Sequence, residues 1–209
     1  MRFSRFLGSL VLVAVVTGLP VAGSETGSLI VTARGTGTVV VFLEPAHQER
    51  FDTVASGGDV VTRASADASP RVELNQVDLT FVPHVLAIEA GTTIDFVNSD
   101  DLLHNVHLYR GSNMDTFLNV AMPIKDMTLS YTFNAPLEVV VLCDVHTEMS
   151  AYILVLPNRY FAQAAANEEV RIDDIEPGTY VVKLWREGKR KINTKIVEIA
   201  VGTNVVNLD

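Results

Sequence analysis

Alternation of apolar and polar side chains is the dominant pattern along this 209-residue chain. In the stretch MTLSYTF (127–133), Met127, Leu129, Tyr131 and Phe133 fall on one face of an extended segment, and Thr128, Ser130 and Thr132 on the other. Similar reasoning predicts strands at 28–34, 38–44, 72–81, 85–89, 92–97, 104–109, 127–133, 139–143, 151–156, 170–172, 179–185, 192–200 and 204–208. Gly, Pro, Asn and Asp separate these runs, as turns require. No stretch keeps a helical period for long, and YFAQAAANEE (160–169) is the most helix-like. Many short strands at this spacing predict an all-β chain built of sandwiches with Greek-key connections. The small, polar stretch 55–70 reads as a loop or linker.

The N-terminus departs from the pattern. Arg2 and Arg5 precede a short apolar run, and small residues follow it, with Val21 and Gly23 at −3 and −1 of a cleavage position. The run is shorter than the ~20 apolar residues a membrane-crossing helix needs, so residues 1–23 read as a secretory signal peptide. The competing reading is an uncleaved anchor. Cleavage would leave a mature chain without a membrane span, in the periplasm or outside the cell. Loss of the two arginines takes the net charge from −9 to −11. Such a chain is a poor nucleic-acid binder, and its field favours basic partners.

Export normally recruits cysteines into disulfides, yet Cys143 is the chain's one cysteine. It is therefore buried and inert, or bound to something. Its surroundings, VLCDVHTEMS (141–150), place His146 three residues on and Met149 three further. A thiolate, an imidazole and a thioether suit copper cycling between Cu(I) and Cu(II): sulfur favours Cu(I), and imidazole tolerates both states. Zinc fits less well, because a thioether is a poor zinc donor. A fourth donor must come from elsewhere. NSDDLLHNVHLY (98–109) offers His104 at a strand start, with Asn105 placed to tie the two segments together by hydrogen bonds.

These two segments, Asn98, Asp100 and HNV (104–106) followed by CDVHTEM (143–149), resemble the copper motifs of the cupredoxins, the plastocyanin- and amicyanin-like blue copper proteins. The resemblance covers roughly residues 71–157. It implies an eight-stranded Greek-key sandwich with one mononuclear type 1 copper at one end, and one-electron transfer. It also implies that His104, Cys143 and His146 are the equatorial ligands and Met149 the axial one. The short cysteine-to-methionine loop is more similar to that of amicyanin than of plastocyanin.

Two positions depart from the family pattern. Thr147 and Glu148 stand where proline and an apolar residue are more common; Glu148 reads as a solvated side chain, or else as an oxygen donor to a harder site. His107 falls on the strand face opposite His104 and reads as a surface residue, or else as an extra ligand. His84 and His47 are explained by packing or exposure.

The flanks have their own signature. VRIDDIEPGTYVVKLWREGKRK (170–191) resembles carboxypeptidase-regulatory and transthyretin-like sandwiches through Pro177, Gly178, Tyr180 and Trp185. Neither flank alone has strands enough to bury a core. The expected division is thus a signal peptide at 1–23, a discontinuous small β-sandwich from 24–45 and 158–209, and the cupredoxin at 46–157. The basic tip REGKRK (186–191) reads as a solvated turn, with docking of an acidic partner as the alternative.

The function expected is that of an exported one-electron carrier with an unidentified redox partner protein, and not an enzyme. The alternatives are a periplasmic copper-binding carrier without a redox circuit, and a structural sandwich that has lost its metal. Catalysis ranks last, since further coppers need further histidines and the chain has five.

Overall fold

The computed structural model describes residues 25–46 and 69–208. The signal-peptide segment, His47 and residues 55–68 of the predicted linker lie outside the described residues. Sixteen strands are formed among the described residues: β1 (Gly27–Thr32), β2 (Thr38–Pro45), β3 (Arg71–Val77), β4 (Thr80–Val82), β5 (Val85–Glu89), β6 (Thr92–Asn98), β7 (His104–Arg110), β8 (Asp115–Met122), β9 (Thr128–Phe133), β10 (Leu137–Leu142), β11 (Ser150–Leu156), β12 (Phe161–Ala165), β13 (Glu169–Ile175), β14 (Gly178–Arg186), β15 (Asn193–Ile199) and β16 (Gly202–Asn207). One 3₁₀ turn spans Gly111–Asn113.

These strands make four sheets, ordered β13-β1-β16, β12-β2-β14-β15, β5-β11-β10-β7-β8 and β4-β3-β6-β9. Three apolar clusters lie between them. The first joins the last two sheets through Leu74, Ile94, Phe96, Val106, Leu108, Val141 and Ile153. The second joins the first two through Leu29, Val31, Val39, Val41, Val182 and Leu184. The third, Val40, Phe42, Val85, Leu154, Leu156 and Trp185, joins β2 and β14 to β5 and β11. Each fully covered large aliphatic or aromatic side chain contributes about 1.5–3 kcal/mol.

This layering explains two strongly apolar strands. In β2, Val39, Val41 and Leu43 enter one cluster while Val40 and Phe42 enter another. In β11, Ala151, Ile153 and Val155 face one side and Leu154 and Leu156 the other. A strand covered on both faces reads as a continuous apolar run.

The resemblance implied eight strands in the copper-motif region; nine are present, β3 to β11. The run expected as one strand over 72–81 is two, because Asp78 (φ 52°) and Leu79 (φ 58°) form a two-residue turn between β3 and β4. Left-handed geometry at both positions is what tight hairpins use. β8 escapes an alternation test because it is an edge strand whose outer side chains, among them Asp115, Thr116 and Asn119, need no apolar character. The helix-like stretch supplies β12 instead, paired antiparallel with β2 from Phe161↔Phe42 to Ala165↔Thr38. So short a segment cannot sustain a helix alone, and the open edge of β2 satisfies its backbone.

Candidate metal centre

His104 opens β7, and Cys143 directly follows β10; their side chains meet where these paired strands end. The loop from Cys143 to Met149 is closed on itself. Cys143 N–H donates to Met149 O at 3.2 Å, and Met149 N–H to His146 O at 3.0 Å. His104 is 0% exposed, Met149 1% and Cys143 2%, with Cys143 and Met149 in one apolar cluster. His146 is half-buried at the loop tip.

His104 Nδ1 lies 3.0 Å from His146 Nδ1, and Cys143 Sγ lies 4.0 and 3.9 Å from those two nitrogens. A triangle with these sides has its circumcentre about 2.1 Å from each corner, close to metal–imidazole and metal–thiolate bond lengths. An ion of that size fits among the three atoms, and the mixed nitrogen and sulfur donor set suits copper. His104, Cys143 and His146 are also the one group of three or more potential ligands of this kind among the described residues.

The carboxylate of Asp100 orients His104. Asp100 Oδ2 accepts from His104 Nε2–H at 2.9 Å, which leaves the Nδ1 lone pair directed at Cys143 and His146. The same carboxylate accepts the backbone N–H groups of Asp78 at 2.9 Å and Leu79 at 3.1 Å, so it holds the β3–β4 turn as well. Burial would raise the Asp100 pKa. The Leu79 N–H, the His104 ring and the Asp78 N–H outweigh burial and hold it below the usual carboxylate value.

Asn105 faces the other way and joins the two segments. Its Oδ1 accepts the Asp144 N–H at 2.6 Å, and its Nδ2 donates to Asp144 Oδ2 at 3.1 Å and to Asn119 Oδ1 at 2.8 Å. Asp144 also accepts from His107 Nδ1 at 2.9 Å and from Asn119 Nδ2 at 3.0 Å. The His107 bond is the main cause of an Asp144 pKa below the ordinary value, with Asn119 next.

His107 is thus neither in the His104 group nor a solvated surface residue: its side chain is 12% exposed, Thr116 bonds Nε2 at 2.9 Å, and Tyr109 stacks on the ring. Glu148 is exposed and outside the group of three. His84 bridges Ser150 O at 2.8 Å and Glu187 Oε1 at 3.0 Å. Asp144, Asn119 and Thr116 were not singled out from sequence; the signal available was an acidic residue directly after Cys143.

Among the described residues no helix is long and apolar enough to cross a membrane. Residues 68–156 match the family model described as copper binding proteins, plastocyanin/azurin family. No curated protein matches the chain. Among solved structures, the copper-containing nitrite reductase of Thermus scotoductus is similar at 27% identity, with 48% of this chain and 25% of that chain covered and a TM-score of 0.41. This chain therefore spans a quarter of that enzyme's length. Amicyanin of Paracoccus versutus is similar at 25% identity over 45% of this chain and 86% of that one, with a TM-score of 0.37. A reduced amicyanin variant gives 22% identity, 44% and 86% coverage, and a TM-score of 0.38. With this family match on the two-sheet fold and on a His–Cys–His group of fitting size, residues 68–156 are a cupredoxin domain, and its cofactor is copper.

Proposed function

We propose that the protein is an exported one-electron carrier and not an enzyme. In this reading His104, Cys143 and His146 are the equatorial ligands of one mononuclear type 1 copper, with Met149 as the axial ligand. The observation that carries it is the triangle of His104 Nδ1, His146 Nδ1 and Cys143 Sγ, set in an apolar cluster and held by Asp100 and Asn105. Copper bound there supplies a one-electron couple. The protein's part is to keep the donors fixed, so that little rearranges on oxidation or reduction.

His104 and Cys143 are covered, whereas His146 reaches the surface beside Val145, which is 47% exposed; Leu102 and Leu103, just before His104, are 47% and 46% exposed. Exposed apolar side chains on both ligand-bearing segments, next to a half-covered imidazole in sequence, suit brief contact with a redox partner protein. Two further histidines, His84 and His107, are each committed to a carboxylate, Glu187 and Asp144. A secretory signal at residues 1–23 places this carrier in the periplasm or outside the cell. Residues 24–45 and 158–209 then form one discontinuous β-sandwich domain that carries the cupredoxin of 46–157.

The test is the visible absorption and EPR spectrum of the Cu(II)-loaded chain. An intense thiolate-to-copper band with narrow copper hyperfine splitting, both lost in Cys143→Ala, is expected. A weak band with wide splitting would replace the type 1 site by a harder one. Failure to retain one copper per chain would overturn the ligand assignment.

A further inference from the structure

The β14–β15 hairpin holds a concentration of positive charge that the copper site does not use. Arg186, Lys189 and Lys191 line a cleft of about 440 Å³ with Arg34 and Thr36 from the β1–β2 connection. A second cleft of about 340 Å³ continues from Lys191 and Asn193 along Lys195, beside the edge strand β15. Lys189 and Arg190 also rim a third cleft, of about 250 Å³, over Tyr152 and Trp185. Six of the chain's sixteen Lys and Arg therefore gather here, although the net charge is −9.

None of the six takes part in an ion pair among the described residues. Two carboxylates close by in the structure are engaged elsewhere. Glu187 is bonded to His84 and to the Thr38 N–H, and Glu138 accepts the Trp185 indole N–H at 3.0 Å. The cleft wall is also fixed in advance. Asn167 brackets Gly35, accepting its N–H at 3.3 Å and donating to its carbonyl at 2.9 Å, and Lys189 N–H donates to Arg186 O at 3.0 Å. A preformed surface loses little on binding.

We propose that this track is a docking site for a short acidic segment of a partner protein. Its shape argues for an extended chain: the clefts run on from one another through shared walls, Lys189 between the third and the first, and Lys191 and Asn193 between the first and the second, along a hairpin and a sheet edge. The charge of the rest of the molecule argues the same way. An anionic membrane or a nucleic acid presents a broad field that the acidic surface repels, whereas a short segment meets only the track. Docking here is electrostatic, so it sets encounter rate and orientation, and salt weakens it. The proposal does not depend on the metal.

The test is fluorescence anisotropy of a labelled oligoglutamate peptide titrated with the full chain, copper-loaded and metal-free, at low and at raised salt. Saturable binding that weakens with salt is expected in both forms. Lys191→Glu, an exposed position, should bind at least about fivefold more weakly, because the lost contact charge pair alone is worth that much in water and the new carboxylate adds repulsion. Lys125→Glu makes the same charge change beside Asp101, away from the track, and should bind as the parent does. Equal losses in the two variants would reduce the effect to net charge and overturn the site. So would binding to phosphatidylglycerol vesicles or to RNA with none to oligoglutamate. Copper binding enters none of these outcomes, so a failed spectrum and a failed docking site remain distinguishable.

Discussion

Asn105 Oδ1 accepts the backbone N–H of Asp144 at 2.6 Å, tying the residue after His104 to the residue after Cys143. The two segments are 39 positions apart in sequence, and this amide sets their spacing at the metal centre. Asn105→Ala removes that acceptor and the donor to Asp144. Loss of an outer-shell partner of this kind weakens metal affinity about 10- to 100-fold. Competitive copper titration should show a drop in that range, while circular dichroism of the variant stays that of the parent.

The Asp100 carboxylate places negative charge against the covered face of His104. A more electron-rich imidazole stabilises Cu(II) over Cu(I), so Asp100→Asn should raise the reduction potential. Asparagine keeps one acceptor for His104 but loses one of the oxygens that bind Asp78 and Leu79. A tenfold change in the preference for Cu(I) over Cu(II) corresponds to about 59 mV for a one-electron couple. Redox titration followed by the visible band checks this. An unchanged or lowered potential would show that Asp100 only braces the turn.

Local patterns made much of this legible in advance. Cys143, His146 and Met149 share one short loop, so their spacing alone exposed a donor set. The strands predicted at 38–44 and 151–156 are present as β2 and β11, and their apolar runs are continuous because both faces of each are covered. What escaped depends on neighbours remote in sequence. The pairing Leu142↔His107 brings His107 beside Asp144, and only that register turns a presumed surface histidine into a member of a covered network. The Asp78–Leu79 turn lacks glycine and asparagine, and it is held by Asp100 from another segment. β12 takes its conformation from the edge of β2, against the helical leaning of its alanines.

Trp185 fills the centre of the third cluster at 1% exposure, and its ring meets Tyr152 edge-on with centroids 5.4 Å apart. Trp185→Ala should destabilise the chain by about 3–5 kcal/mol, read from denaturant unfolding. The visible band of the copper-loaded variant should keep its position, because Trp185 belongs to the third cluster rather than to the first, which includes Cys143 and Met149. A band that shifts with this substitution would mean that the flanking strands help shape the metal centre.

The same junction should respond to acid. Glu187 accepts the Thr38 N–H at 3.0 Å and the His84 Nε2–H at 3.0 Å, and the Thr38 bond is the main cause of a pKa below the ordinary 4.5. A carboxylate whose folded-state pKa is depressed stabilises the fold fully above its unfolded value. That contribution fades as pH falls from about 4.5 through the lower folded value. Glu187→Gln cannot ionise, so its unfolding midpoint should lie below the parent's near neutral pH and converge on it in acid. Denaturant midpoints measured for both chains across this range check the sign. A constant gap down to the lowest pH would show that Glu187 contributes by packing alone.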